Sequence, residues 1–127
     1  MDMKNLNAKD IMLDEVIVSY PDDLVAVVNL KMVRANIGGL PIVDEDNKLL
    51  GIITHRDTLL AGDAAMAFKV KSLMSTNLTT VSLDTSLIEI SKIMVDTGFQ
   101  RIPVVKDGKL MGLITQTCVI RAVAENL

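Results

Sequence analysis

The stretch Leu40-Pro41-Ile42-Val43 returns as Ile102-Pro103-Val104-Val105, 62 residues further along the chain. Lys9-Asp10-Ile11-Met12 returns as Lys71-Ser72-Leu73-Met74 at the same distance of 62 residues. The two copies account for nearly all of the 127 residues. A pattern repeated in constant register is typical of a duplicated folded unit. The function must therefore lie in the repeat or between its two copies.

A third motif follows the same order but with a small shift in register. Gly51-Ile52-Ile53-Thr54 returns as Gly112-Leu113-Ile114-Thr115 after 61 residues, so the second copy lacks one residue between its proline and its glycine. This interruption falls inside a polar loop. One interruption in a loop, within an otherwise constant register, again indicates duplication of a folded unit.

The composition restricts the size and kind of core. Hydrophobic residues make up 50% of the chain but aromatic residues only 2%, which predicts a core of Val, Ile, Leu and Met. The eight methionines are expected to pack in this core rather than to bind metal. A lone unit of roughly 60 residues buries too little surface for comfortable stability, so we expect the two copies to share one core. The apolar excess, with a mean hydropathy of +0.39, also predicts a homodimer.

The charges and the reactive residues exclude several classes of protein. The net charge is −3, the pI is about 5.0 and no basic run is present, which makes nucleic-acid binding an unfavourable interpretation. With one cysteine, Cys118, and one histidine, His55, the sequence predicts neither an internal disulfide nor a zinc site. No leader is visible and no apolar run approaches the roughly 18 residues that span a bilayer. We therefore expect a cytoplasmic protein with no membrane association.

Each copy has the same predicted order of elements: strand, helix, strand, strand, helix. Asp22-Asp23 and Asp84-Thr85-Ser86 are typical of helix starts, and apolar residues at helical spacing follow them as far as Asn36 and Gly98. Polar turns then join two short strands rich in Ile and Val. The predicted segments are extended residues 16–18 and 78–81, hairpin strands 37–43 with 49–54 and 99–105 with 110–115, and second helices 55–61 and 116–125.

These elements define an α/β (α+β) fold of two tandem β-α-β-β-α repeats. We expect the first repeat at residues 1–62, a connector at 63–70 with a short helical turn that reaches Phe68, and the second repeat at 71–127. Neither half can bury the apolar face of its sheet alone. The two repeats are therefore expected to form one compact module about a pseudo-twofold axis.

The three motifs, K-x-h-M, h-P-h-V and G-h-h-T before a helix, where h is an apolar residue, occur in tandem over roughly residues 9–124. In this order they resemble the tandem cystathionine-β-synthase (CBS) domain pair, or Bateman module. The resemblance implies a non-enzymatic module that binds an adenosyl ligand, namely AMP, ADP, ATP or S-adenosylmethionine, between its repeats. It also implies a homodimer.

The resemblance implies a ribose site at the end of the G-h-h-T strand. There a threonine ends the strand and an aspartate three residues later takes the ribose hydroxyls, and Thr54 and Asp57 match both positions. In the second copy Thr115 matches, but Cys118 stands where the aspartate should be. With the adenine contacts that the family implies, the first candidate site comprises Ile17, Val18, Ile37, Gly38, Gly39, Leu40, Pro41, Thr54, His55, Arg56 and Asp57. The second candidate site comprises Thr79, Thr80, Arg101, Ile102, Pro103, Thr115 and Cys118.

Each of these residues also has a purely structural interpretation. Thr54 and Asp57 have the spacing of a capping box, a role that is compatible with ribose binding. His55 and Arg56 open a helix, where the dipole favours a phosphate, but a solvated Arg56 is an equal alternative. Gly38-Gly39 either admits an adenine ring or only forms a turn.

The second copy leaves similar alternatives open. Arg101 either answers a phosphate or pairs with a carboxylate such as Asp96. Cys118 is expected to be buried packing rather than a nucleophile, because it lacks a partner base.

The sequence therefore favours a stand-alone regulatory module and not an enzyme. We expect it to bind an adenosyl ligand in the cleft between the repeats and to pass the signal in trans to a separate effector protein. The alternative is a structural dimerisation module with vestigial pockets. The homodimer is expected to use the helical faces Val25–Arg34 and Ser86–Asp96, or the second helix of each copy.

Overall fold

The computed structural model describes residues 2–127, and its contacts divide the chain into two compact units. The first-repeat unit comprises Ile17–Leu78. The second-repeat unit joins the N-terminal segment that ends at Val16 to Thr79–Leu127. The K-x-h-M segment of each repeat thus packs in the unit that contains the hairpin of the other repeat.

The described residues form α-helices and two two-stranded hairpins. Short 3-10 turns lie before the first helix at Met3–Asn5 and between the two repeats at Asp63–Ala67 and Val70–Ser72. In chain order the elements are α1 (Ala8–Ile11), α2 (Val25–Ala35), β1 (Gly39–Val43), β2 (Leu49–Thr54), α3 (His55–Ala61), α4 (Leu87–Thr97), β3 (Arg101–Lys106), β4 (Lys109–Thr115) and α5 (Gln116–Glu125).

The predicted hairpins and second helices are confirmed. β1 pairs antiparallel with β2, and β3 pairs antiparallel with β4. The polar turns use the conformation that their residues favour, because Asn47 and Asp107 have φ angles of 65° and 53° in the left-handed region. The connector forms the expected short helical turn, which ends at Phe68.

The extended segments 16–18 and 78–81 do not form strands, contrary to the prediction. Each ends in a single parallel bridge, Ser19 with Ile42 and Val81 with Val104. In the first-repeat unit Pro21 follows shortly and has no N–H to continue a ladder. In the second-repeat unit the Ser82 N–H donates to Thr85 Oγ1 at 3.0 Å instead. Local turn chemistry therefore ends both ladders after one residue pair.

The two long helices begin differently although their sequences repeat. Ser86 caps α4 as predicted, since its Oγ accepts from the Glu89 N–H at 3.1 Å. The prediction for α2 is wrong: its N-cap is Leu24, which provides no side-chain cap. Asp23 instead accepts from the Tyr20 N–H at 2.9 Å.

Asp22 also serves a purpose other than capping. Its carboxylate pairs with Lys71 at 3.1 Å and with Lys69 at 3.4 Å. The hydrogen bond from Lys71 and the charge of Lys69 hold the pKa of Asp22 below its usual value. Asp22 therefore ties the start of the first-repeat unit to the segment that leads out of it.

The apolar periodicity of both long helices is confirmed. The buried residues of α2 are Val25, Val28 and Met32, and those of α4 are Leu87, Ile90 and Met94. Both helices stop at left-handed residues, Asn36 with φ 54° and Gly98 with φ 73°, as expected. No helix formed by residues 2–127 combines the length and the apolar character needed to cross a membrane.

The core of each unit is aliphatic, as the composition predicts. Helix and hairpin residues supply most of it. The first-repeat unit packs Val28, Met32, Leu40, Ile42, Ile53 and Val70 together. The second-repeat unit packs Ala8, Val81, Ile90, Met94, Ile102, Val104, Ile114 and Cys118.

The K-x-h-M and G-h-h-T motifs meet at the outer edge of each hairpin. Ser75 bridges to Ile52 and Leu13 bridges to Leu113, which brings a methionine against each motif glycine. A Cβ atom added at Gly51 would lie 2.7 Å from Met74 Sδ and 2.9 Å from the Ser75 carbonyl oxygen. A Cβ atom at Gly112 would overlap Met12 Sδ and lie 2.8 Å from the Leu13 carbonyl oxygen. Only glycine fits at either position.

We predict that Gly51→Ala and Gly112→Ala each destabilise the protein. The carbonyl beside each added methyl group is held in a backbone bridge, so the clash cannot be relieved by side-chain rotation alone. Overpacking of this kind lowers the free energy of unfolding by about 1–3 kcal/mol. Urea denaturation should detect this loss, with the exposed β4 substitution Lys109→Ala as a matched control. The prediction would be contradicted if Gly112→Ala and Lys109→Ala unfolded at the same urea concentration.

Candidate functional site

The first candidate site lies wholly within the first-repeat unit, since residues 17–57 fall between Ile17 and Leu78. The second candidate site lies wholly within the second-repeat unit, in the part of the chain from Thr79 to Leu127. Each site is thus formed by residues of a single unit.

Asp57 and Thr54 form the capping box that their spacing predicts. Thr54 Oγ1 accepts from the Asp57 N–H at 3.2 Å, and Asp57 Oδ2 accepts from the Thr54 N–H at 2.9 Å. Oδ1 of Asp57 makes no hydrogen bond within residues 2–127. The half-buried carboxylate is thus fixed by one oxygen and keeps the other as an acceptor for a hydroxyl group.

The strand end of Thr54 and the start of β1 come together at one end of the hairpin. Gly39 pairs with Thr54, and the Gly38 carbonyl accepts from the His55 N–H at 2.8 Å. A cleft of about 350 Å³ opens beside this junction. It is lined by Met32, Val33, Asn36, Ile37, Gly38 and His55.

Half of this lining was not predicted from the sequence. Ile37, Gly38 and His55 belong to the first candidate site, but Met32, Val33 and Asn36 at the end of α2 do not. The signal that could have found them is the helix end predicted at Asn36, since the structure shows a left-handed residue there, directly before Ile37 and Gly38.

The segment Ile17–Ser19 presents free backbone groups. The N–H groups of Ile17 and Val18 make no hydrogen bond within the described residues, and the Ile17 side chain is 45% exposed. Ser19 joins the sheet through the Pro41 carbonyl at 3.1 Å and the Val43 N–H at 3.0 Å. Backbone N–H groups held in this way can bind the ring nitrogens of a base.

The remaining residues of the first candidate site differ in how much of each side chain a ligand could reach. Leu40 is fully buried in the core and Pro41 is buried, so a ligand can reach them only through their backbone. His55 and Arg56 are exposed, and their side chains form no ion pair or hydrogen bond within residues 2–127. The charge of Arg56 therefore remains available to an anion.

The second candidate site lacks a carboxylate at its centre. Cys118 is 3% exposed, its Sγ lies 3.3 Å from Thr115 Oγ1, and its N–H donates to that oxygen at 3.3 Å. The cysteine therefore keeps half of the capping arrangement and packs into the core, as expected. Thr79 is half-buried and Thr80 exposed, whereas the side chains of Ile102 and Pro103 are buried.

Arg101 is the one charged member of the second candidate site. It stands opposite Thr115 in the ladder of β3 and β4 and is half-buried, and burial lowers the pKa of its guanidinium group. The pair with Asp96 that the sequence allowed is not formed in the described part of the chain. Of the two alternatives, this leaves the guanidinium free for an anion.

Comparison with known proteins identifies the family of the chain. The CBS domain family matches residues 8–62 and 70–125. Inosine-5'-monophosphate dehydrogenase of Methanocaldococcus jannaschii is 36% identical over 109 residues, which make up 85% of this chain but only 22% of that enzyme. The chain thus spans about a fifth of the enzyme's length.

Two solved structures resemble nearly the whole chain. The structure of CBSX2 in complex with AMP has a TM-score of 0.87 and 29% identity, and the match covers 94% of this chain and 96% of that one. The CBS domain pair of protein MJ0100, in complex with 5'-methylthioadenosine and S-adenosyl-L-methionine, has a TM-score of 0.84 and 27% identity, with coverages of 96% and 98%. The chain, with two matched repeats and the fold of these pairs, belongs to the CBS domain family.

Proposed function

We propose that this chain is a regulatory module that binds an adenosyl ligand in its first-repeat unit. The observation that carries the proposal is the carboxylate of Asp57, which the capping box fixes through Oδ2 while Oδ1 remains free. A carboxylate held in this way accepts the hydroxyl groups of a ribose, as in dinucleotide-binding folds. The free N–H groups of Ile17 and Val18 provide a complementary edge for a base.

The ligands of the two similar structures support the choice of an adenosyl compound. AMP in one, and 5'-methylthioadenosine and S-adenosyl-L-methionine in the other, share adenine and a ribose ring with free 2'- and 3'-hydroxyl groups, and they differ at the 5' position. The proposed contact of Asp57 is with the ribose hydroxyl groups, which all three compounds share. We therefore propose AMP, ADP, ATP or S-adenosylmethionine as the ligand, and the exposed Arg56 as a contact for its phosphate where one is present.

We propose that the module regulates a separate effector protein in trans and is not itself an enzyme. The only cysteine of the chain is buried in the second-repeat unit, and the only histidine lies in the first-repeat unit. A ligand can influence a partner only by binding two states of the module with different affinity. Because the proposed ligands are metabolites of the cytoplasm, we place the protein there.

A purely structural role, as a dimerisation module with vestigial pockets, is the second candidate. The absence of a carboxylate at Cys118 favours it for the second-repeat unit. The first-repeat unit instead keeps its threonine and aspartate in place. The two candidates therefore differ in whether the first-repeat unit binds a nucleotide.

We also propose that the protein forms a homodimer through exposed apolar residues of its helices. Val27, Leu30 and Val33 of α2 are 48%, 46% and 62% exposed, and Leu59 and Leu60 of α3 are 68% and 76% exposed. Such a concentration of exposed aliphatic side chains is typical of a surface that is covered by a partner.

Replacing Asp57 by Ala should weaken nucleotide binding far more than it weakens the fold. Hydrogen bonds to a charged group contribute roughly 1.5–3 kcal/mol, which corresponds to a loss of about tenfold to more than one-hundredfold in affinity. Loss of the capping contact should lower the free energy of unfolding by about 1 kcal/mol. Isothermal calorimetry with AMP, ATP and S-adenosylmethionine, together with urea denaturation, measures both effects.

Ser86→Ala is the matched control for Asp57→Ala. Ser86 caps α4 in the second-repeat unit, so its loss should lower stability by the same amount, about 1 kcal/mol, without changing affinity. If Asp57→Ala and Ser86→Ala bind each of the three adenosyl compounds equally well, Asp57 is only a helix cap.

Binding should be asymmetric, with one strong site per chain. The thiol of Cys118 is a weak donor and a poor acceptor, so the second candidate site lacks a partner for the ribose hydroxyls. Calorimetric titration should therefore give a stoichiometry near one for the tight phase. Two sites of equal affinity would contradict the proposed role of the carboxylate.

Placing charges on the apolar surface should dissociate the proposed homodimer. We expect Leu30→Glu combined with Leu60→Glu to sediment as a monomer of 13.8 kDa, while the unaltered chain sediments as a dimer. Lys109→Glu is the control, because Lys109 is an exposed lysine of β4 and lies outside the helical faces expected to form the homodimer. An unaltered chain that remains monomeric at high concentration would refute the dimer.

A further inference from the structure

The ammonium group of Lys31 in α2 donates hydrogen bonds to uncharged acceptors of the segment Ile17–Ser19. Its Nζ donates to the Val18 carbonyl and to Ser19 Oγ, both at 2.9 Å, and no carboxylate of the described chain lies within ion-pair distance of it. Ser19 is fully buried, and Lys31 itself is half-buried. The ammonium group therefore holds the backbone of the segment whose Ile17 and Val18 belong to the first candidate site.

The second repeat shows that the sheet does not need this lysine. The residues that correspond to Ser19 and Lys31 are Val81 and Ile93. Val81 nevertheless makes the same bridge as Ser19, with the Pro103 carbonyl at 3.0 Å and the Val105 N–H at 2.9 Å. Lys31 adds a hydrogen bond to the Val18 carbonyl. The carbonyl of Thr80, the corresponding residue, accepts no such bond within the described residues.

A second polar contact of α2, from Asn29 to Thr58, lies beside the start of α3 at His55. Thr58 is 2% exposed, and its Oγ1 donates to the His55 carbonyl at 2.8 Å and lies 3.3 Å from Asn29 Oδ1. The corresponding residues of the second repeat are Val119 and Ser91. Both polar contacts of α2 therefore occur in the unit that has the aspartate of the ribose motif, and neither occurs in the unit that has Cys118 at that position.

We propose that Lys31 is a positioning residue for the adenosyl ligand. By fixing the peptide group between Val18 and Ser19, it orients the neighbouring free N–H groups toward the base before the ligand arrives. Preorganisation of this kind raises affinity because less ordering remains to be done on binding. This inference rests on the proposed function, since it assumes that the first-repeat unit binds a nucleotide.

The test replaces the lysine and serine by the apolar pair of the second repeat. Lys31→Ile alone leaves the buried hydroxyl of Ser19 without its donor and should lower stability. The double variant Ser19→Val with Lys31→Ile removes that hydroxyl and should regain most of the lost stability, because the second repeat folds with Val81 and Ile93. Lys92→Ile, at an exposed lysine of α4, is the control for loss of a positive charge.

Calorimetric affinity for AMP, ATP and S-adenosylmethionine should separate positioning from stability. We expect the double variant to bind the best of the three about tenfold more weakly than the unaltered chain, by analogy with metal sites, where removal of a residue that orients a ligand costs about tenfold or more in affinity. We expect Lys92→Ile to bind normally.

The possible results separate this inference from the proposed function. A stable double variant with normal affinity would overturn the positioning role of Lys31 and leave the proposed function intact. An unaltered chain that binds none of the three compounds would overturn both. A double variant with native stability and weakened binding supports the positioning role, because a merely structural lysine would leave affinity unchanged.

Discussion

The contact between a methionine and a glycine at the outer edge of each hairpin is the constraint on which the rest of the structure depends. Met74 packs on Gly51, and Met12 packs on Gly112. A side chain at either glycine would occupy the space that the methionine fills. This contact seats the K-x-h-M segment beside the strand that ends in the threonine of the ribose motif. The glycine of the G-h-h-T motif therefore acts in packing, and in the first repeat it fixes the strand that leads to Thr54 and Asp57.

Most of the fold could be predicted from the sequence because its elements follow local rules. Apolar periodicity located α2 and α4, and polar turns located the hairpins. The cap of α2 could not be predicted, since Asp22 and Asp23 are drawn to Lys71 and to the Tyr20 N–H rather than to the helix. The grouping of the K-x-h-M segments with the hairpins was also beyond prediction, because it depends on contacts between residues 23 positions apart (74 − 51) and 100 positions apart (112 − 12).

The candidate site was predictable where it follows a motif and not where it depends on tertiary contacts. Thr54 and Asp57 lie three residues apart, and their mutual hydrogen bonds follow from that spacing. Lys31 reaches its acceptors from a separate element and has no motif of its own. Met32, Val33 and Asn36 line the cleft only because α2 ends there. The residues that hold a site in place are thus harder to find from sequence than those that face the ligand.

The exchange of leading segments between the repeats has a consequence for the ancestry of the chain. A protein with a single repeat would have no second K-x-h-M segment to place against its hairpin glycine. In the arrangement seen here, the hairpin edge of such a protein would pack against the K-x-h-M segment of an identical neighbour, as in a domain-swapped oligomer. The duplication that produced this chain would then have fused two mutually dependent subunits into one polypeptide.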